Sequence, residues 1–228
     1  MSLEPGGLAE KIGNHYESSW VTFQLLRVLD EQISYVQVEP LGEDEDAVDV
    51  IIGNLDGSRE HHQCKIGEKS NEAWTLATLQ SKALLTKGLK HILSGSKSYK
   101  VVSRIGFRLL EDICESARNS TGPSSDFLEY QIKDISQDRL NLFNELCRRL
   151  VLDSSNPDDL DKALKFLKSF EITKFNEDEV DNLLLSLIAE KLVYQPAIQL
   201  IHFLQTYPVK CEKLRTPITT HILKTDLE

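Results

Sequence analysis

Between Ala47 and Ile66 the chain reads AVDVII, then GNLDGSR, then EHHQCKI: two strand-forming runs on either side of Asp56-Gly57. Asp-Gly between two such runs specifies an antiparallel hairpin, and few local patterns constrain a fold as tightly. Side chains alternate across a strand, so Gln63, Lys65 and His61 share one face while Cys64 takes the other. Whether Asp49 joins Gln63 and Lys65 depends on the loop. A loop centred on Asp56 or Gly57 sets Asp49 opposite Gln63 or Lys65. A two-residue loop centred between them sets it opposite Cys64, on the wrong face. A common site therefore needs an odd-length connection or a bulge, which a left-handed glycine such as Gly57 permits.

On a shared face these residue types suit metal-assisted phosphate chemistry. The Asp49 carboxylate, the Gln63 side-chain carbonyl and the Cys64 backbone carbonyl are oxygen donors for a hard cation, Mg²⁺ or alternatively Mn²⁺. Such a cation acidifies a water and stabilises charge on a phosphate. Lys65 then orients that water or stabilises the transition state by electrostatics. Glu17, in the first helical segment, offers a further carboxylate. Asp46 competes with Asp49, which is favoured because it lies within the strand-forming run. Ordinary readings stand beside these. Asp49, Gln63 and Lys65 also suit a solvated strand face, and Glu17 a helix surface. His61-His62 read as a solvated strand and Trp74 as a core anchor. No G-x-S-x-G is present, and Cys64 is expected to be buried.

The rest of the pattern gives an α/β chain: a mixed sheet flanked by helices, followed by an all-helical C-terminal region. Leu8, Ile12, Tyr16, Trp20 and Phe23 predict a helix over 7–32. Gly13 inside it suggests close packing. Strands are predicted over 33–38 and 98–107, and helices over 72–93 and 108–119. Residues 119–125 (NSTGPSS) predict a boundary. The expected division is thus 1–120 and a helical extension, 121–228, for dimerisation or for linking to a sensor module. Helices are predicted near 126–152, 157–170, 176–192 and 196–206. Their signals are Asn156-Pro157, the capping-box spacing of Asn176 and Glu179, and Pro196. No catalytic group is expected there.

The formal net charge of −10 argues against a dedicated nucleic-acid coat protein. The charge is uneven, however. Residues 73–110 carry cations, among them Lys82, Lys87 and Lys90, and no Asp or Glu, whereas residues 39–49 are strongly acidic. Lys82, Lys87 and Lys90 are the candidate phosphate contacts. The four cysteines are widely separated, so neither a zinc nor a disulfide framework is expected. No signal peptide or membrane-spanning run is apparent, and a cytoplasmic protein is expected.

Asp49 followed by Gln63-Cys64-Lys65 resembles the D…QxK variant of the PD-(D/E)XK motif. The preceding GGLAEKIGNHYES (6–18) and the following EAWTLATL (72–79) resemble the nuclease domains of bacterial antiphage effectors, of the CBASS and STAND antiviral NTPase kinds. The resemblance covers about residues 6–110. It implies a restriction-endonuclease-like domain and a Mg²⁺-dependent double-stranded DNA endonuclease, the effector part of an antiviral defence protein. Glu17, Asp49, Gln63 and Lys65 would then be catalytic. Gln63 stands where the motif usually has Glu, and no G-x-x-x-x-G-K-[ST] is present, so a C-terminal sensor or NTPase module would be missing. The alternatives are a catalytically silent nucleic-acid-binding module and a helical adaptor or oligomerisation protein.

Overall fold

The computed structural model describes residues 5–42, 47–66, 73–176, 203, 206–211, 213 and 215–227. Asp46, Glu179, Pro196 and nearly all of the helices expected over 176–192 and 196–206 lie outside the described residues. The described chain is mixed α/β, with six strands in one sheet ordered β5-β4-β3-β2-β1-β6 and helices flanking it. The sheet strands are β1 (Tyr35–Val38), β2 (Val50–Gly53), β3 (Arg59–Cys64), β4 (Ser98–Ser103), β5 (Phe170–Lys174) and β6 (Ile218–Thr219). By compactness the chain forms two units. The first comprises 1–66, 102–104 and 175–228, and the second 67–101 and 105–174.

In the first unit, α1 (Pro5–Leu29) buries Tyr16, Trp20, Gln24 and Val28, a strict i, i+4 row. Tyr16, Trp20 and Val28 pack with Val36, Val38, Val50, Ile52 and Cys64 into one core. Aromatic rings close it. Trp20 and Phe175 meet edge to face at 5.0 Å and Tyr16 and Phe175 at 5.6 Å, and the Tyr16 hydroxyl donates to the Phe175 carbonyl at 3.2 Å. Gly13 does not mark close packing, since a Cβ added there would meet nothing within 4 Å. Gly53 does. It lies opposite Tyr35, and a Cβ on it would come within 2.1 Å of the Tyr35 ring.

In the second unit, α2 (Leu76–Ser81) is opened by a Thr75–Thr78 capping box. It is followed by α3 (Leu84–Leu93) and α4 (Arg108–Asn119). Gly88 of α3 sits against the Tyr99 ring, which stacks on buried His91. Trp74 is buried. The single helix expected over 126–152 is three pieces: α5 (Ser124–Asp126), a π-helical stretch (Phe127–Lys133) and α6 (Gln137–Leu150). Ser136 caps α6 by accepting from the Arg139 N–H, which starts a new helix there. The Asn156-Pro157 signal opens α7 (Pro157–Ser169). The last described helix, α8 (Thr220–Leu227), belongs to the first unit. Helices occupy the C-terminal region as expected, and β5 and β6 add two strands to them. A propensity reading misses both, because β5 is short and continues directly from α7, while β6 has two residues.

Candidate functional site: the bulged hairpin and its carboxylate

The β2–β3 hairpin pairs Val50 with His62, Ile51 with His61 and Ile52 with Glu60. Its loop is odd. The Asn54 N–H donates to the Ser58 carbonyl at 2.9 Å across three residues, and Gly57, at φ +80°, donates back to the Asn54 carbonyl. Asp56 locks the turn by accepting from the Ser58 N–H at 3.0 Å. A bulge follows at the other end of β2. The Asp49 N–H donates at 3.0 Å to the carbonyl of His62, the residue already opposite Val50. Two residues of one strand thus oppose one of the other, which re-aims the Asp49 side chain.

The re-aimed carboxylate meets the residues that the sequence reading grouped. Asp49 Oδ2 accepts from the Cys64 N–H at 2.7 Å and lies 4.0 Å from Lys65 Nζ, and the Gln63 side chain donates to it. Burial holds the Asp49 carboxyl above its usual range. Lys65, the Cys64 N–H and Gln63 pull it back, and Glu39 pushes it further up. Glu17 is half-buried on α1 and close enough for its charge to act on the Cys64 thiol. That thiol is pushed well above its ordinary value, first by burial, then by Asp49 and Glu17. The hairpin thus brings Asp49, Gln63, Cys64 and Lys65 together, with Glu17 within electrostatic reach.

Such a donor set is compatible with Mg²⁺ only in a sparse form. Among the described residues no three His, Cys, Asp or Glu side chains are grouped to hold a metal ion. A buried carboxylate whose charge is only partly offset still gains from an added cation. Mg²⁺ commonly keeps several waters and takes one or two carboxylates. The protein donors would be Asp49, the Gln63 side chain and the Cys64 backbone carbonyl, with Glu17 as an outer carboxylate.

One constellation escaped the sequence reading. His61 and His62 are not solvated; they are 3% and 1% exposed. The Trp20 Nε1–H donates to His62 Nδ1 at 3.2 Å, so Nε2 carries the proton and points at Glu60 Oε2, also 3.2 Å away. Glu60 in turn accepts from Asn54 Nδ2 at 3.3 Å. This buried polar chain runs from α1 to the hairpin turn and fixes the register behind Asp49. Its signal was present in the alternation, which puts Glu60, His62 and Cys64 together on the face opposite Gln63, but nothing marked that face as the one α1 covers.

The cationic candidates lie in the second unit. Lys82 is exposed at the end of α2, Lys90 is exposed on α3, and Lys87 is half-buried on the same helix. No described helix is long and apolar enough to cross a membrane.

No family model matches the chain, and no curated protein matches it. Solved structures do. A Moraxella osloensis Cap4 SAVED/CARF-domain containing receptor is 16% identical with a TM-score of 0.53, over 91% of this chain and 44% of that one. An Acinetobacter baumannii Cap4 SAVED/CARF-domain containing receptor with the cyclic trinucleotide 3'3'3'-cAAA is 14% identical with a TM-score of 0.53, over 90% and 42%. The Acinetobacter baumannii receptor with 2'3'3'-cAAA is 14% identical with a TM-score of 0.54, over 94% and 46%. The chain spans less than half the length of these receptors. Likeness at this identity establishes a shared fold. It also corrects the expectation of a Mg²⁺-dependent double-stranded DNA endonuclease, and of an enzyme: the structures sharing the fold are described as receptors, two of them with cyclic trinucleotides.

Proposed function

We propose that the chain is a nucleic-acid-binding module of an antiphage receptor, one that holds an oligonucleotide without cutting it. The observation that supports this most is the likeness, over nine-tenths of the chain, to Cap4 receptors bound to cyclic trinucleotides. Lys82, Lys87 and Lys90 contact ligand phosphates, in a stretch from 73 to 110 that has no carboxylate. Asp49 and Gln63 hold a Mg²⁺ or Mn²⁺ ion, whose chemistry when bound is to neutralise phosphate oxygen. The rest of the receptor, beyond the part this chain matches, supplies the module that acts on the signal.

Fluorescence anisotropy tests this with labelled single-stranded 12-mers and with 3'3'3'-cAAA, between 50 and 200 mM KCl. On single strands the log–log slope should be about −0.7 per phosphate contact, and Lys87→Gln or Lys90→Gln should shallow it by roughly that amount for every sequence. Supercoiled plasmid kept with the protein in Mg²⁺ or Mn²⁺ should stay intact. Absence of salt-dependent binding, or metal-dependent nicking of the plasmid, would overturn the reading.

A further inference from the structure

Asp49 has a carboxylate neighbour that the β2–β3 hairpin does not supply. β1 and β2 pair Val38 with Val50, and the register continues one step further, where the Glu39 N–H donates to the Asp49 carbonyl at 2.8 Å. Glu39 therefore stands opposite Asp49 at the end of the two strands. Like charges directly opposite across an antiparallel pair destabilise it. The Glu39 carboxylate is close enough for its charge to act on the buried Asp49 carboxyl.

On the Glu39 side Arg215 offsets this repulsion, its Nη2 donating to Glu39 Oε2 at 3.1 Å. Arg215 arrives from the opposite direction to Asp49: it precedes β6, which pairs with β1 on the edge away from β2. Its carbonyl accepts from Gln37 Nε2 at 3.0 Å, so its backbone is tied to β1 while its side chain stays in solvent. The two partners are 43% and 47% exposed, and an exposed pair contributes little, so a divalent cation exchanges with the guanidinium at small cost. We infer that Glu39 is a second carboxylate ligand of the Asp49 cation site, and that Arg215 holds it until the metal takes it over. Two carboxylates balance the charge of one Mg²⁺ or Mn²⁺ ion, and Mg²⁺ commonly takes one or two beside its waters. The Glu39 side chain swings from the guanidinium to the ion, which then lies between the carboxylates that repel each other.

The inference rests on the reading of Asp49 as a cation ligand, and the test separates the two. The full chain is titrated with Mn²⁺, and the free ion is read from its six-line electron paramagnetic resonance spectrum. Glu39→Gln should weaken binding at least about tenfold, the loss that removal of even an outer-shell partner causes. Arg215→Gln should tighten it about two- to fivefold, the competition that an exposed ion pair exerts. With Glu39→Gln already in place, Arg215→Gln should give no gain, whereas a general change of surface charge would give the same gain in both backgrounds. Glu31→Gln, which removes an exposed carboxylate in the turn before β1, should leave binding unchanged. Should Glu39→Gln unfold, the gain in Arg215→Gln decides. Wild-type affinity in Glu39→Gln, or no gain in Arg215→Gln, overturns the inference and leaves Asp49 a ligand. Absence of Mn²⁺ binding by the wild type, or binding indifferent to Asp49→Asn, overturns the cation site and the inference with it.

Discussion

Asp49 carries an energetic cost where it stands. Its carboxyl is held above the ordinary 3.8 by burial, so the folded state binds that proton more tightly than the unfolded chain. The stability linked to this proton is complete below the unfolded value and is lost as pH rises through the folded one. At neutral pH the charged form is therefore disfavoured. Asp49→Asn, which keeps an acceptor for the Cys64 N–H, should raise Tm at pH 7 by about 2–4 °C, equivalent to roughly 1 kcal/mol in a chain of this length. The gain should vanish towards pH 3. Calorimetry over that range decides it, and a lower Tm at pH 7 would contradict the account. Mn²⁺ should broaden in the electron paramagnetic resonance spectrum with wild type and not with Asp49→Asn. His62 presents the opposite case. His62→Ala strands the buried Trp20 N–H and takes one of the hydrogen-bond partners of Glu60, at about 1–3 kcal/mol for a buried group left unsatisfied, and it also opens a cavity in the core. Urea unfolding should show a loss of about 2–4 kcal/mol, well beyond that of an exposed histidine such as His221→Ala.

Among the elements, the hairpin was the most legible. Asp56-Gly57 fixed its turn, and the alternation fixed which β3 residues travel together. The bulge at Asp49 could not be read, because nothing in AVDVII distinguishes a regular residue from an extra one. The burial of His62 was also hidden, since its partner Trp20 lies 42 positions away. Helix caps at Ser136 and Asn156 follow local chemistry, but the capping role of Ser136 was masked by apolar spacing that continues through it. The receptor likeness was illegible for a further reason: at 14–16% identity the fold is carried by burial pattern rather than by particular residues. Gly53 offers a test at this scale. Gly53→Ala should cost about 1–3 kcal/mol by driving a methyl into the Tyr35 ring, an overpacking penalty. In Tyr35→Ala that cost should largely disappear. A double-mutant cycle in urea gives the coupling, and additivity would rule out the contact as the cause.

At the level of the molecule, compactness and chain order disagree. The first unit gathers residues 1–66, three residues of 102–104, and 175–228. The loop at 119–125 suggests a cut after residue 120, but such a cut removes β6 and α8 from the first unit and β5, α6 and α7 from the second. A fragment of residues 1–120 should therefore show no cooperative urea transition, although the full chain does. A sigmoidal unfolding curve for the fragment would vindicate the boundary. Light scattering across a hundredfold range of concentration tests self-association, and a constant monomer mass would remove the dimer.

The three-residue tip between Asn54 and Ser58 has a genetic consequence. Substitutions at Leu55, which is exposed, touch only solvent and should drift freely, whereas Asp56 and Gly57 hold the turn and should not. A deletion of one whole codon preserves the reading frame and yet changes the parity of the connection. His62 and Cys64 would then turn away from Trp20, and Gln63 would turn towards it. Lineages carrying this hairpin should gain or lose tip residues in pairs, and an odd-sized indel should appear only alongside a compensating one elsewhere in the same two strands.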